Sequence, residues 1–278
     1  MFNFPRKKIG IIGFGNMGSA IGERIRFKYA VYVFDKIKTI DLENITVVHN
    51  LRELVGQSEV VILAVKPQDF DLLLKEIKNF IQDKLIISIA AGITTGYIQK
   101  VLGKVKVVRA MPNIAVKIAE GETSICKGKH AKEKDLLLAK KLFKILGKVW
   151  ELKEDKIDSV TAISGSGPAY ILYDMEIKKL DPLKISIKSK KEWINRLNEA
   201  ALKVGIEVKI ALELAASTTV STIHLVKQTG NSPAQLRKMI TSSGGTTEAA
   251  LKVIINGGSW PEAALAAKQC AQELLKKE

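Results

Sequence analysis

Two cysteines in 278 residues leave no disulfide framework to build on: Cys126 and Cys270 lie far apart and match no metal or redox spacing. Both are expected as ordinary reduced residues, and no metal centre is expected. Histidine is equally scarce. His49, His130 and His224 form no recognisable dyad, and each is expected to take a surface or packed-core role. No apolar run approaches the roughly 18 residues needed to span a bilayer. The opening "MFNFPRKK" meets a core-type strand at once, which leaves no room for a signal peptide. A cytoplasmic protein without a membrane partner is the expectation.

What is present is apolar residue and positive charge. Hydrophobic residues make up 46% of the chain, enough to fill the core of one large α/β domain or of two domains. The formal net charge of +15 raises the question of a nucleic-acid partner. The distribution argues against one. Lysines are scattered through "LLLKEIKNF", "AKEKDLLLAKKLF" and "ELLKKE", where many alternate with acids on solvent faces, and the nearest approach to a basic cluster is "KISIKSKKEW", residues 184–193. Such a surface suits anionic substrates.

The most informative short stretch is "KKIGIIGFGNMGSAIGERI", residues 7–25. Gly13, Gly15 and Gly18 fall between a buried-strand pattern and a helical one, and each answers a separate demand. Gly13 allows the tight turn, Gly15 lets backbone approach a pyrophosphate without a Cβ, and Gly18 lets helix and strand pack closely. N–H groups at the helix start then face the anion, helped by the helix dipole. A second apolar run, "AVYVFDK", contains Asp35 near the distance of about 20 residues at which an acid meets the adenosine ribose. A dinucleotide site is the reading.

Strand-like runs then recur as "EVVILAVKP", "KLIISIAAG" and "KVKVVRAMPN", alternating with the helical stretches "QDFDLLLKEIKNFI" and "TTGYIQKVLG". Alternation of this kind indicates a parallel, doubly wound sheet. "ETSICK" and "KVWELK" would extend or edge it around the helix "AKEKDLLLAKKLFKILG". From residue 154 onward the pattern is helical and rich in small residues, with faces apolar on more than one side, as burial against a second copy would require. The fold expected is an N-terminal doubly wound, Rossmann-type α/β domain over residues 1–153 and an all-α dimerisation domain over 154–278. A homodimer or higher homo-oligomer follows.

Three separated stretches together resemble the pyrroline-5-carboxylate reductase family: "IIGFGNMGSAI", then "VRAMPN" with "AISGSGPAY", then "SPAQLRKMITSSGGTTEAALKVIINGG". The last two motifs are much more specific than the glycine turn, and the resemblance spans nearly the whole chain. It implies reduction of the cyclic imine 1-pyrroline-5-carboxylate to L-proline with NADPH or NADH. It places the pyrophosphate on the turn Gly13 to Gly18, including Phe14, Asn16 and Met17, and makes Asn50 the adenosine-side asparagine. It runs Ala64, Val65, Lys66 and Pro67 beside the nicotinamide-side ribose, and brings Ala90, Met111, Pro112 and Asn113 close to the nicotinamide. The loop with Ser242, Gly244, Gly245, Thr246 and Thr247 would receive the substrate carboxylate, with the Thr247 hydroxyl, the one catalytic side chain, near the imine nitrogen. The residues themselves agree with an anion site there, since hydroxyls and two glycines precede a run of helix formers, with Glu248 in the first turn.

Two features depart from the family. The segment 173–198 is longer and more charged than the corresponding helix, and Asp181-Pro182 should interrupt a helix, so a surface insertion is expected. Ser243 stands where the family usually carries proline. Cofactor choice is open: Asp35 favours NADH, while Lys36 and Lys38 could neutralise a 2′-phosphate and tilt the choice slightly toward NADPH. Two other readings stay in view. A β-hydroxyacid-type dehydrogenase would share the architecture but should carry a catalytic lysine on the second domain's early helix, and Lys178 and Lys179 fall beyond that position. A catalytically silent dinucleotide-sensing or nucleic-acid-binding protein is the other.

Overall fold

The computed structural model describes residues 6–37 and 40–274; Lys38 lies outside the described residues. The glycine-turn stretch folds as β1 (Lys8–Ile12), α1 (Asn16–Ile25) and β2 (Ala30–Phe34). A short β3 (Ile45–Val47) and α2 (Leu51–Gln57) follow, neither marked by its sequence pattern. The alternation then runs β4 (Val60–Leu63), α3 (Phe70–Ile77), β5 (Leu85–Ser88), α4 (Thr95–Leu102) and β6 (Lys106–Pro112). β7 (Gly121–Lys127), α5 (Glu133–Phe143) and β8 (Gly147–Glu151) complete the α/β part.

Among the described residues, these eight strands form one sheet in the order β3-β2-β1-β4-β5-β6-β7-β8. β1 pairs in parallel with both β2 and β4, and parallel pairing continues from β4 through β5 to β6. The strand order therefore reverses beside β1, and in open α/β sheets ligands bind outside the carboxyl ends of strands at such a switch point. Central strands explain themselves chemically. "VVIL" in β4 and "LIIS" in β5 are buried at every position, as strands covered on both faces by helices must be. β7 and β8 extend the sheet past β6.

Beyond β8 the chain is helical: α6 (Glu154–Val160), α7 (Gly167–Ile177), α8 (Ile187–Lys203), α9 (Val208–Thr229), α10 (Pro233–Ile240), α11 (Thr246–Ile255) and α12 (Trp260–Glu273). A single wide helical turn at Thr161–Gly165 separates α6 from α7; such bulges in helices often mark functional sites. The charged segment 173–198 breaks where Pro182 requires. α7 stops at Ile177, the Asp181 carboxylate accepts the Leu183 N–H at 2.9 Å, and Ser186 caps α8. The buried Asp174 then ties α7 to α8, accepting from Trp193 Nε1 at 2.7 Å and Arg196 at 3.1 Å, with Lys178 at 2.9 Å. Burial penalises this carboxylate, but the three donors outweigh the penalty and hold its pKa below the ordinary value.

The chain divides into two compact units, Met1–Ala110 with Ile125–Glu154, and Met111–Ser124 with Asp155–Glu278. Composition marks the change near residue 154. It does not mark the excursion 111–124, which joins the helical unit.

Candidate active site

The glycine turn lies at the carboxyl end of β1. Gly13 has φ +93°, and a Cβ there would fall 2.9 Å from the Ala64 backbone carbonyl, so only glycine fits. A Cβ at Gly18 would fall 2.1 Å from the Gly13 oxygen, which makes this glycine the condition for α1 packing against the turn. Gly15 differs from both. It precedes α1 in extended backbone, and a Cβ added there meets no atom within 4 Å. The start of α1 carries no side-chain cap and no acid in its first turn. An uncapped helix start with open space above a glycine fits the pyrophosphate of NAD(P)H.

Around this turn the residues named from sequence separate into two kinds. Asn16 is exposed and Met17 half-buried, both on the helix start. Phe14 turns inward: its side chain is 3% exposed beneath α1, against Gly22. Its N–H goes to Asp35. Asn50, exposed, accepts the Glu53 N–H at 2.9 Å and so caps α2. Lys36 pairs with Glu76 of α3 at 3.1 Å. At the end of β4, Ala64 backs onto Gly13, Val65 and Pro67 are half-buried, and Lys66 is exposed. Ala90 is buried in the loop after β5.

In the second unit, Met111 is half-buried while Pro112 and Asn113 are buried. Asn113 Oδ1 accepts the N–H groups of Ala115 at 3.2 Å and Glu122 at 3.0 Å, so this side chain closes the excursion between β6 and β7. The loop ahead of α11 is more specific. Gly244, at φ +70°, gives its N–H to Glu248 at 3.0 Å, and Gly245 gives its N–H to the Ser242 carbonyl at 3.0 Å. The Gly244 N–H, followed by Lys252, holds the Glu248 pKa below its ordinary value. These two glycine donors are therefore engaged within the loop, and the N–H groups of α11's first turn, from Thr246 onward, are the ones without an intrahelical acceptor. Thr246 and Thr247 are both buried, at 8% and 5% exposure.

Sequence reasoning missed the partner of these threonines. Ser166, fully buried at the start of α7, lies 3.2 Å from Thr246 Oγ1 and accepts the Thr247 hydroxyl at 3.2 Å. Ser166 belongs to the quoted stretch "AISGSGPAY", and the signal that could have singled it out was the unusual density of small residues there. Among the described residues, the hydrogen bonds of the three hydroxyls bring in no histidine, lysine or carboxylate. His224 is held by Glu120 at 2.7 Å, and Lys178 is committed to Asp174 and Glu192. Among the described residues, no three His, Cys, Asp or Glu side chains gather where a metal could bind, and no helix is long and apolar enough to cross a membrane.

A parallel sheet with a glycine turn at its switch point, joined to a helical unit that buries hydroxyls at a helix start, defines a dinucleotide-dependent oxidoreductase. Family models match residues 8–92 as NADP oxidoreductase coenzyme F420-dependent and residues 192–275 as pyrroline-5-carboxylate reductase dimerisation. The chain is 33% identical to the pyrroline-5-carboxylate reductase of Methanosarcina acetivorans, over 98% of this chain and 99% of that one. The chain belongs to the pyrroline-5-carboxylate reductase family, and it is an NAD(P)H-dependent oxidoreductase with a homo-oligomerising helical region. Solved structures agree. The enzyme from Coxiella burnetii matches at 30% identity and TM-score 0.61, covering 97% of this chain and 98% of that one. The enzyme from Plasmodium falciparum, with NADP bound, matches at 26% identity and TM-score 0.63, covering 96% and 98%.

Proposed function

We propose that this chain transfers hydride from NAD(P)H to the carbon of the cyclic imine 1-pyrroline-5-carboxylate, giving L-proline in the last step of proline biosynthesis. The observation that carries the assignment of roles is the buried hydroxyl trio Ser166, Thr246 and Thr247 at the start of α11, within 3.2 Å of one another through Ser166. The bound dinucleotide supplies the hydride. What the chain supplies is binding and alignment. Residues 1–153 hold the dinucleotide, with the turn Gly13 to Gly18 at the pyrophosphate, Asp35 and Asn50 on the adenosine side, and Ala64 to Pro67 and Ala90 toward the nicotinamide. Met111, Pro112 and Asn113 shape the same end.

Residues 154–278 hold the substrate and the second copy of a homodimer. The first-turn N–H groups at Thr246 and Thr247 receive the substrate carboxylate, and Ser242, Gly244 and Gly245 shape the loop that presents them. The Thr247 hydroxyl, parked on Ser166, turns to the imine nitrogen. As hydride adds to carbon, the C=N π pair moves onto nitrogen. An imine already protonated thereby becomes the amine without a further acid, which agrees with a site built of hydroxyls and amides. A cytoplasmic location, in contact with the cell's NAD(P)H pool, goes with this reading.

The test is dihydronicotinamide oxidation by the purified protein with the imine, run in parallel with NADH and NADPH and with β-hydroxyacid and keto-acid controls. Imine-dependent oxidation supports the reading. Turnover with an acid and none with the imine would overturn it.

A further inference from the structure

We infer that Glu154 is a positioning residue for hydride transfer, acting through the loop between β5 and α4. The inference rests on the proposed placement of Ala90 beside the nicotinamide. That loop, residues 89–94, contains Ala90, Gly92 at φ +77° and Ile93, and its one polar side chain, Thr94, is engaged at the start of α4, so it offers the reaction shape rather than a reacting group. Its contribution is where it stands, so whatever anchors it sets that contribution.

The anchors converge on the start of α4. Glu154 accepts the Thr95 N–H on Oε1 at 2.7 Å and the Thr95 hydroxyl on Oε2 at 2.8 Å. The Thr95 N–H is one of the donors a helix start leaves without an intrahelical acceptor, and a carboxylate there is favoured by the helix dipole as well. Thr94 takes a second such donor, the Tyr97 N–H, at 3.1 Å. The guanidinium of Arg109, itself 1% exposed on β6, stands 4.0 Å from Glu154 Oε1 and keeps the carboxylate facing the loop. Gly128 closes the other side, since a Cβ there would lie 2.8 Å from Thr95 Cβ. The Tyr97 hydroxyl donates to Asp71 near the start of α3.

Glu154 is also the last residue of the first unit, with Asp155 beginning the second. It therefore pins the loop at the point where the chain leaves the dinucleotide unit. Removing the pin frees the loop while leaving the glycine turn, on the far side of β4, unchanged.

The experiment compares Glu154→Ala, Glu154→Gln and Thr95→Val in the full-length protein. Four readouts are taken: kcat and KM, the isotope effect with 4-deuterated dihydronicotinamide, melting temperature, and calorimetric affinity for ADP-ribose against NAD(P)H. Glu154→Ala is expected to lower kcat about tenfold and raise the isotope effect, because misalignment makes hydride transfer the slow step. ADP-ribose affinity should be unchanged, and Glu154→Gln, which keeps the length and one accepting oxygen for the Thr95 N–H while its NH2 can donate to the Thr95 hydroxyl, should recover most of the loss. Thr95→Val, which keeps the N–H and nearly the side-chain volume, should fall between them, and it carries the test if Glu154→Ala does not fold. An unchanged isotope effect with losses that track melting temperature would overturn the inference and leave Glu154 a structural residue. Wild-type protein that fails to bind NAD(P)H or to use the imine would overturn the underlying placement of the site instead.

Discussion

Asp35 Oδ2 accepts the Phe14 N–H at 2.6 Å, while its other oxygen accepts the Ile37 N–H at 2.9 Å. The acid at the end of β2 thus buttresses the glycine turn, beside its proposed place on the adenosine side. Its charge stands against a 2′-phosphate, and Lys36, the neighbour that could offset it, is drawn to Glu76. Asp35→Asn is expected to improve NADPH binding relative to NADH about tenfold, about 1.4 kcal/mol. Fluorescence titration with both dinucleotides measures the ratio, and an unchanged ratio removes Asp35 from the ribose subsite.

Gly15 and Gly18 separate ligand binding from folding. Gly15→Ala meets no protein atom within 4 Å, so the melting temperature should hold while NAD(P)H affinity drops about tenfold from the methyl over the helix start. Gly18→Ala instead drives a methyl toward the Gly13 oxygen, to 2.1 Å before relaxation, and should cost about 2 kcal/mol of stability. Equal effects of the two changes on stability would contradict this division.

Thr247→Ala is expected to lower kcat about tenfold, with dinucleotide affinity unchanged, and Thr247→Ser to retain most activity. Steady-state kinetics with the imine decides this; full turnover in the alanine variant would take Thr247 out of the site. Ser166→Ala should act more weakly, because it removes the hydroxyl that holds Thr247 rather than the one proposed to meet substrate.

Lys178 is 39% exposed and bridges Asp174 and Glu192. Lys178→Met should therefore leave imine reduction intact and cost less than about 1 kcal/mol of stability. Abolished turnover with an undisturbed melting temperature would revive the β-hydroxyacid reading, in which a lysine is essential.

Asp174 governs an acid limb of stability. Its folded pKa lies below the unfolded value of 3.8, so its contribution is complete above that value and is lost as pH falls through the lower, folded pKa. The wild-type protein should lose stability below about pH 4, and Asp174→Asn should flatten that limb while costing about 2 kcal/mol near neutrality. Urea melts from pH 3 to 7 measure both; parallel curves for the two proteins would assign the acid limb to other groups.

Much of the α/β part was legible in the chain because its signals are local. Glycine spacing, apolar runs and helical periodicity each describe neighbours in sequence, and the Asp181-Pro182 break is dictated by the proline ring itself. β3 escaped notice for the same reason: three residues, Ile45–Val47, carry too short a pattern to read. So did the excursion 111–124, whose membership in the helical unit no local feature records.

The sequence by itself determined the doubly wound sheet, the helical second half, the glycine turn after β1 and the family to which the chain belongs. Only the tertiary structure decided which donors and acceptors are taken up inside the fold: it engaged the Phe14 N–H with Asp35 and the Gly244 N–H with Glu248, and it turned the accepting Asn113 carboxamide oxygen to its own loop. It also joined Ser166 to Thr246 and Thr247, and Glu154 to Thr95, across separations of 80, 81 and 59 residues. The physical reason is that a hydrogen bond's worth depends on burial and on the partner that folding delivers, and neither is a property of the residues adjacent in the chain.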